Sequence, residues 1–338
     1  MQTIVCRQPG ELRRLERDPN QMGPGQALIR IRRIGVCGTD FHAFQGNQPY
    51  FTYPRVLGHE LSGVIEAIDP DLRRGLQIGD VVAIVPYLHC GQCVACRQGK
   101  PNCCVHLEVF GVHRDGGMQE TLAVPTTHLV KAEGLSLDQA AILEPLSIGA
   151  HAVRRAALKP GEVALVIGAG PIGLGVMALA HQRGAKILVI DGDADRLRFA
   201  QTWCPVEAAL PAGDHPEDQL ASLTQGDWPS VVFDATGNVQ SMSQAVSYVA
   251  HGGRVVYVGL SQDTVCIADP LFHQREVTLL ASRNATREDF ATAHQAVRER
   301  QIASDAYISQ KIPWDDLIEA FPALVAGQRQ QVKTLIEV

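Results

Sequence analysis

The chain has no run of basic residues. Lysine and arginine are scattered through a sequence of net charge −6, so the electrostatic footprint of a nucleic-acid binder is missing. No basic region followed by a long apolar core stands near its start, and no secretory signal is expected. Repeats and low-complexity segments are absent. Long apolar runs are nearly so. One charge-free stretch of eighteen residues, 163–180 (VALVIGAGPIGLGVMALA), is just long enough to cross a bilayer. Four glycines and a proline about its centre suit a turn between two elements instead, and no membrane is expected.

What is present is ordinary in bulk and specific in detail. At 338 residues the chain exceeds one comfortable core, so two domains are expected. Hydrophobic residues make up 46% and charged residues 20%, as in soluble globular proteins. Nine cysteines could form disulfides in a secreted protein. Five of them fall within 90–104 (CGQCVACRQGKPNCC), in a long chain without a signal, which points to metal thiolates in a reducing cytoplasm.

That cluster reads Cys90-x2-Cys93-x2-Cys96-x7 to Cys104, with Cys103 beside it. Three thiolates at this pitch wrap a metal from one loop, with Gly91 and Gly99 supplying tight backbone, and a fourth closes the shell. Four sulfurs saturate a tetrahedral zinc and leave no position for substrate. A ferredoxin cluster wants its last cysteine sooner, with proline after it. Spacing does not choose between Cys103 and Cys104. The cluster is expected to brace the fold.

Mixed ligands occur elsewhere. GVCGTDFHAF supplies Cys37, Thr39, Asp40 and His42, and VLGHELSG supplies His59 and Glu60. A thiolate, an imidazole and a carboxylate suit zinc and leave a fourth position open, where the ion acts as a Lewis acid on an alcohol. Singly, each residue has an ordinary structural reading as core filler or surface polar group. Thr39 could accept the alcohol's proton and pass it to His42, a residue type suited to acid–base work. Glu144, before a proline in an otherwise apolar stretch, is costly to bury without a partner such as a metal or its water.

From about residue 151 strand and helix signals alternate. Gly168-x-Gly170-x-x-Gly173 follows an apolar run and opens a helical one capped by Gly184, with Asp191 closing the next strand. This is the context a dinucleotide fingerprint requires. Pro171 and Ile172 within the turn, and Arg196, Thr236 and Val258 beyond it, are assigned to the same cofactor. A 2′-phosphate facing Asp191 at roughly 4 Å would cost about 4 kcal/mol per charge pair at an effective dielectric near 20, which favours NAD. Later runs at 230–237, 252–260 and 277–282 complete a doubly wound parallel sheet. Before residue 150, short runs such as QALIRIRRIGV and LSGVIEAI, separated by Gly, Pro and Asp, predict a β-rich domain. The expected division is 1–150, completed by 283–338, and 151–282.

Taken in order, GVCGTDFH, GHE, the cysteine cluster, EPLSIGAHA and GAGPIG resemble the zinc-dependent medium-chain dehydrogenases over essentially the whole chain. The resemblance implies a GroES-like catalytic domain, a Rossmann domain, an active site in the cleft between them, and Cys104 as fourth ligand of the structural zinc. EPLSIGAHA is most similar to the sorbitol dehydrogenase branch. That implies a catalytic zinc on Cys37, His59 and Glu60, with Glu144 holding its water or exchanging with Glu60. CGTDFH also resembles threonine dehydrogenase, where Thr39 and His42 would relay the proton, but Leu146–Gly149 replaces the glycine-asparagine pair of that branch. YPRVLGHE and GVHRDGG look more like bacterial sugar-acid and polyol dehydrogenases, so the expected substrate is a polyol or sugar acid oxidised at a secondary hydroxyl. Arg283 falls where the sorbitol branch carries a pocket arginine. It is read either as a partner of a substrate carboxylate or as one of the cofactor phosphate or a neighbouring subunit. The family implies a homo-oligomer, dimer or tetramer. A cofactor-sensing protein without catalysis would not need the open ligand set, and zinc-free quinone reductases would lack Cys37, His59 and Glu60.

Overall fold

The computed structural model describes residues 1–213, 215–327 and 331–338. They form two compact units, Met1–Glu144 with Ala285–Val338, and Pro145–Asn284. Among the described residues no helix is long and apolar enough to cross a membrane.

The first unit is β-rich. It opens with the hairpin β1 (Gln2–Gln8) and β2 (Glu11–Glu16), then β3 (Gln26–Val36), β4 (Glu60–Ile68), β5 (Val81–Ile84), β6 (Tyr87–Leu88), β7 (Glu108–Val109), β8 (Thr121–Pro125) and β9 (Leu129–Lys131). β3 shows why. Ala27, Ile29 and Ile31 are buried while Arg30 and Arg32 face out, a period of two that fits a strand with one face on the core. Beyond a bulge between Ile31 and Arg33 the strand is buried from Ile34 to Val36 and delivers Cys37 to the N-cap of α1 (Gly38–Gln45).

The second unit carries β10 (Val163–Ile167), β11 (Lys186–Asp191), β12 (Ala208–Pro211), β13 (Val231–Asp234), β14 (Arg254–Tyr257) and β15 (Thr278–Ala281). All are parallel, in the order β12-β11-β10-β13-β14-β15. Central strands such as VALVI, and VVFD up to its terminal Asp234, are apolar because both faces of the sheet are covered. The run 163–180 is thus β10, a glycine turn and the helix Pro171–Gln182.

The chain then returns to the first unit with β16 (Ile308–Pro313) and β17 (Lys333–Glu337). β17 inserts between β16 and β3, giving the order β16-β17-β3-β4-β5-β9, with β8 also on β3. Both boundaries differ by a few residues from the expected 150 and 282. The first falls inside a single helix, Leu143–Arg155, because Pro145 sits in its first turn, where a missing N–H costs nothing.

Candidate active site

Among the described residues, the first unit holds two groups of side chains able to grip a metal. In the lobe 90–104, the sulfurs of Cys93 and Cys96 are 3.5 Å apart, those of Cys93 and Cys104 3.8 Å, and those of Cys90 and Cys104 3.5 Å. Four thiolates at 2.3 Å from one zinc stand roughly 3.8 Å apart, so the cluster has the dimensions of that ion. Backbone N–H groups of Cys90 and His106 donate to the Cys104 sulfur at 3.4 and 3.3 Å. Those of Cys96 and Val105 hold the Cys93 thiol down at about 6. Cys103 is exposed and outside the group.

In the second group, ligand atoms of Cys37, His59 and Glu60 lie within 4.8 Å of one another. Cys37 is placed by α1, and His59 and Glu60 by the start of β4, which pairs with β3 so that Glu60 faces Gly35. The Glu60 side chain crosses directly over that glycine, where any Cβ would collide with its carboxylate. His59 Nδ1 is buried without a hydrogen-bond partner, 3.9 Å from Asp40 Oδ1. Burial works against a charged imidazole here, but the Cys37 sulfur and the Asp40 carboxylate outweigh it and raise its pKa well above the usual value. An imidazole, a thiol and a carboxylate at ligand spacing fit a zinc with one position left open.

Asp40, read from the sequence only as one of the mixed ligands, and two residues that sequence reasoning did not single out complete the surroundings. Asp40 is fully buried; its carboxylate accepts the backbone N–H groups of Cys37 (2.9 Å) and Gly58 (3.3 Å), tying together the segments that carry the ligands. Lys333, 3% exposed on β17, donates to both oxygens of Glu60 at 2.6 and 2.7 Å and to the Val36 carbonyl at 3.1 Å. Burial disfavours its ammonium, yet the Glu60 charge keeps its pKa above the ordinary lysine value. Tyr87 donates its phenol to Glu144 Oε1. A charged residue inside the strand-like VKTLIEV was the one available sign of Lys333. Nothing local marked Tyr87.

Glu144 lies outside the three-residue group but senses it: burial pushes its carboxyl up to about 7, against the opposing pull of His59. Thr39 and His42 both sit on α1. His42 is exposed, and its Nδ1 pairs with Asn47 Oδ1 at 3.0 Å.

In the second unit the turn after β10 is shaped by contact. Gly168 has φ +98°, and a Cβ on Gly173 would run into the Gly168 carbonyl oxygen. Gly170 is the N-cap of the next helix and Pro171 its first residue, followed by Ile172. Asp191, at the end of β11, accepts from Ala169 N (2.6 Å) and Asp193 N (2.8 Å), which fixes its carboxylate beside the turn. A Cβ on Gly170 would lie 3.7 Å from the Arg196 guanidinium, and one on Gly168 would lie 3.0 Å from Thr236. The Asp234 backbone carbonyl accepts from Val258 N at 2.8 Å. Asp191, Arg196, Thr236 and Val258 therefore gather at the carboxyl ends of neighbouring strands, where open α/β sheets bind ligands. Arg283 is exposed and follows β15, after Ser282, whose N–H donates to Tyr257 O at 2.9 Å beside Val258 at the same ends of the strands.

Residues 23–134 match the family described as alcohol dehydrogenase GroES-like domain, and residues 171–299 match zinc-binding dehydrogenase. The chain is 42% identical over 336 residues to L-galactonate-5-dehydrogenase of Escherichia coli K12, covering 99% of this chain and 98% of that one. It is 32% identical over 316 residues to 2-dehydro-3-deoxy-L-galactonate 5-dehydrogenase of Pseudoalteromonas atlantica, covering 93% and 92%. A crystal structure of an alcohol dehydrogenase from Escherichia coli CFT073, complexed with NADH, superposes with a TM-score of 0.91 at 27% identity, covering 100% and 99%.

Proposed function

The chain belongs to the zinc-dependent medium-chain dehydrogenases, and from that premise we propose that it oxidises a secondary hydroxyl of a sugar acid or polyol to a ketone, with a hexonate such as L-galactonate the first candidate. The observation that carries this reading is the set of Cys37, His59 and Glu60 ligand atoms within 4.8 Å of one another. Zinc held by these residues supplies Lewis acidity towards the substrate hydroxyl, and NAD supplies the acceptor for the hydride that leaves the same carbon.

The chain's own groups do the rest. Asp40 keeps His59 and Cys37 in register by holding the backbone on both sides. Thr39 accepts the hydroxyl proton and hands it to His42, whose exposure opens a way to solvent. With Nδ1–H donated to Asn47, the Nε2 lone pair is the one that receives it. Glu60 is the carboxylate of the ligand set, steadied by Lys333, and Glu144 is a second carboxylate beside it. Cys90, Cys93, Cys96 and Cys104 hold the structural zinc. Gly168, Gly170, Pro171, Ile172, Gly173, Asp191, Arg196, Thr236 and Val258 receive the dinucleotide, and Asp191 selects NAD. Arg283 is a candidate for the substrate carboxylate or a cofactor phosphate. The same reading takes the enzyme as a cytoplasmic homo-oligomer, a dimer or tetramer, which sedimentation measures directly.

The deciding experiment follows NADH absorbance with L-galactonate, other aldonates, alditols and threonine. Turnover of a sugar acid or alditol is expected. NADH formation with threonine alone, or with none of these, would remove the proposal.

A further inference from the structure

Tyr87 and Glu144 are each 5% exposed, and the phenol hydroxyl donates to Glu144 Oε1. The proposed reaction gives Tyr87 no part, yet its setting is built with care. β6 and β7 form a two-stranded hairpin in which Tyr87 pairs with Val109. The loop of that hairpin is the four-cysteine lobe: Cys90 follows β6 and Cys104 precedes β7. The Tyr87 carbonyl accepts from His128 Nε2 at 3.2 Å, and the Pro86 carbonyl accepts from Phe110 N at 3.1 Å. A lobe closed by metal thus fixes a hairpin, and the hairpin aims one hydroxyl at one carboxylate.

We propose that Tyr87 is a positioning residue that restrains Glu144 beside the Cys37–His59–Glu60 group, and that the four-cysteine lobe acts on the reacting site through this hydroxyl. The inference rests on the zinc dehydrogenase reading. A carboxylate no longer held by Tyr87 turns towards the open ligand position and competes there with substrate.

The test uses the full chain. In Tyr87→Phe, with Co2+ replacing zinc in the Cys37–His59–Glu60 site, the visible absorption bands are expected to shift from those of the parent. With L-galactonate and NAD, KM is expected to rise about tenfold while kcat stays within about twofold. The double variant Tyr87→Phe/Glu144→Gln is expected to match Glu144→Gln alone, because the hydroxyl acts only through that carboxylate. Unchanged cobalt bands, additive effects in the double variant, or equal losses of kcat and metal content would overturn the proposal. Should Tyr87→Phe not fold, 3-fluorotyrosine at position 87 keeps the hydroxyl, and its 19F resonance is expected to move when Glu144→Gln is introduced; an unmoved resonance is equally decisive against it. If no hexonate is turned over, the substrate reading fails, while the cobalt bands still decide the role of Tyr87.

Discussion

Gly35 shows how little room the ligand set leaves at the level of single residues. Glu60 crosses over it to reach Lys333, and a methyl group there has nowhere to go. Gly35→Ala is expected to push the carboxylate off both Lys333 and the metal position, dropping bound zinc from two per chain towards one while NADH still binds. Zinc counting after gel filtration, beside an NADH titration, checks this. Retention of both ions would show that Glu60 has another route to the site. Cys37, His59 and Glu60 were legible in the sequence because thiolate, imidazole and carboxylate declare their chemistry by type. Tyr87 and Lys333 were not, nor was the bracing role of Asp40, because these roles come from pairing. Lys333 lies 273 positions from the carboxylate it holds, and no local pattern carries that distance.

Among elements, the glycine turn was readable and the β6–β7 hairpin was not. Gly168 to Gly173 lies between a strand and a helix, so its motif is confirmed by its neighbours in sequence. Two-residue strands offer no period to read. Gly173→Ala forces the helix Pro171–Gln182 away from the Gly168 carbonyl. Overpacking of this kind costs about 1–3 kcal/mol, and the NADH dissociation constant is expected to rise roughly tenfold or more with zinc content unchanged. Fluorescence titration reads it, and parental affinity would mean the turn relaxes freely. The segment under the hairpin carries its own pH signature. His128 is 7% exposed, its Nε2 donating to Tyr87 O and its Nδ1 accepting from the Thr127 hydroxyl at 2.9 Å, and burial lowers its pKa from 6.5 to about 4. Below 6.5 the unfolded chain takes up the proton first, so stability is full above that pH and drains away as pH falls towards 4. At 1.36 kcal/mol per unit the loss approaches about 3 kcal/mol. Calorimetry from pH 7 to 4 is expected to show this limb, and His128→Gln to flatten it. An unaltered limb in the variant would clear His128 of the effect.

For the whole molecule, the sequence reading assigned residues after about 283 to the first unit, and β17 shows what that return achieves. It is a middle strand of its sheet, registered on β3 from Thr334 opposite Val36 to Glu337 opposite Arg33. Ending the chain after Val332 is expected to abolish cooperative unfolding of the first unit and release the catalytic zinc, while NADH binding by residues 145–284 persists. Calorimetry and metal analysis on the shortened protein measure both; a normal first-unit transition would show β17 to be dispensable. The boundary within Leu143–Arg155 was harder to read, since proline in a first turn gives no stop signal.

The late arrival of β17 has a consequence during synthesis. Glu60 leaves the ribosome long before Lys333 does, and at ordinary elongation rates the interval is on the order of tens of seconds. Throughout it, Arg33–Val36 of β3 presents an open edge and Glu60 a carboxylate with no counter-ion, while the nucleotide-binding half, contiguous in sequence, has everything it needs to fold. The half that holds both candidate metal groups is therefore the last to be finished, and the nascent polypeptide must be kept from mispairing until then.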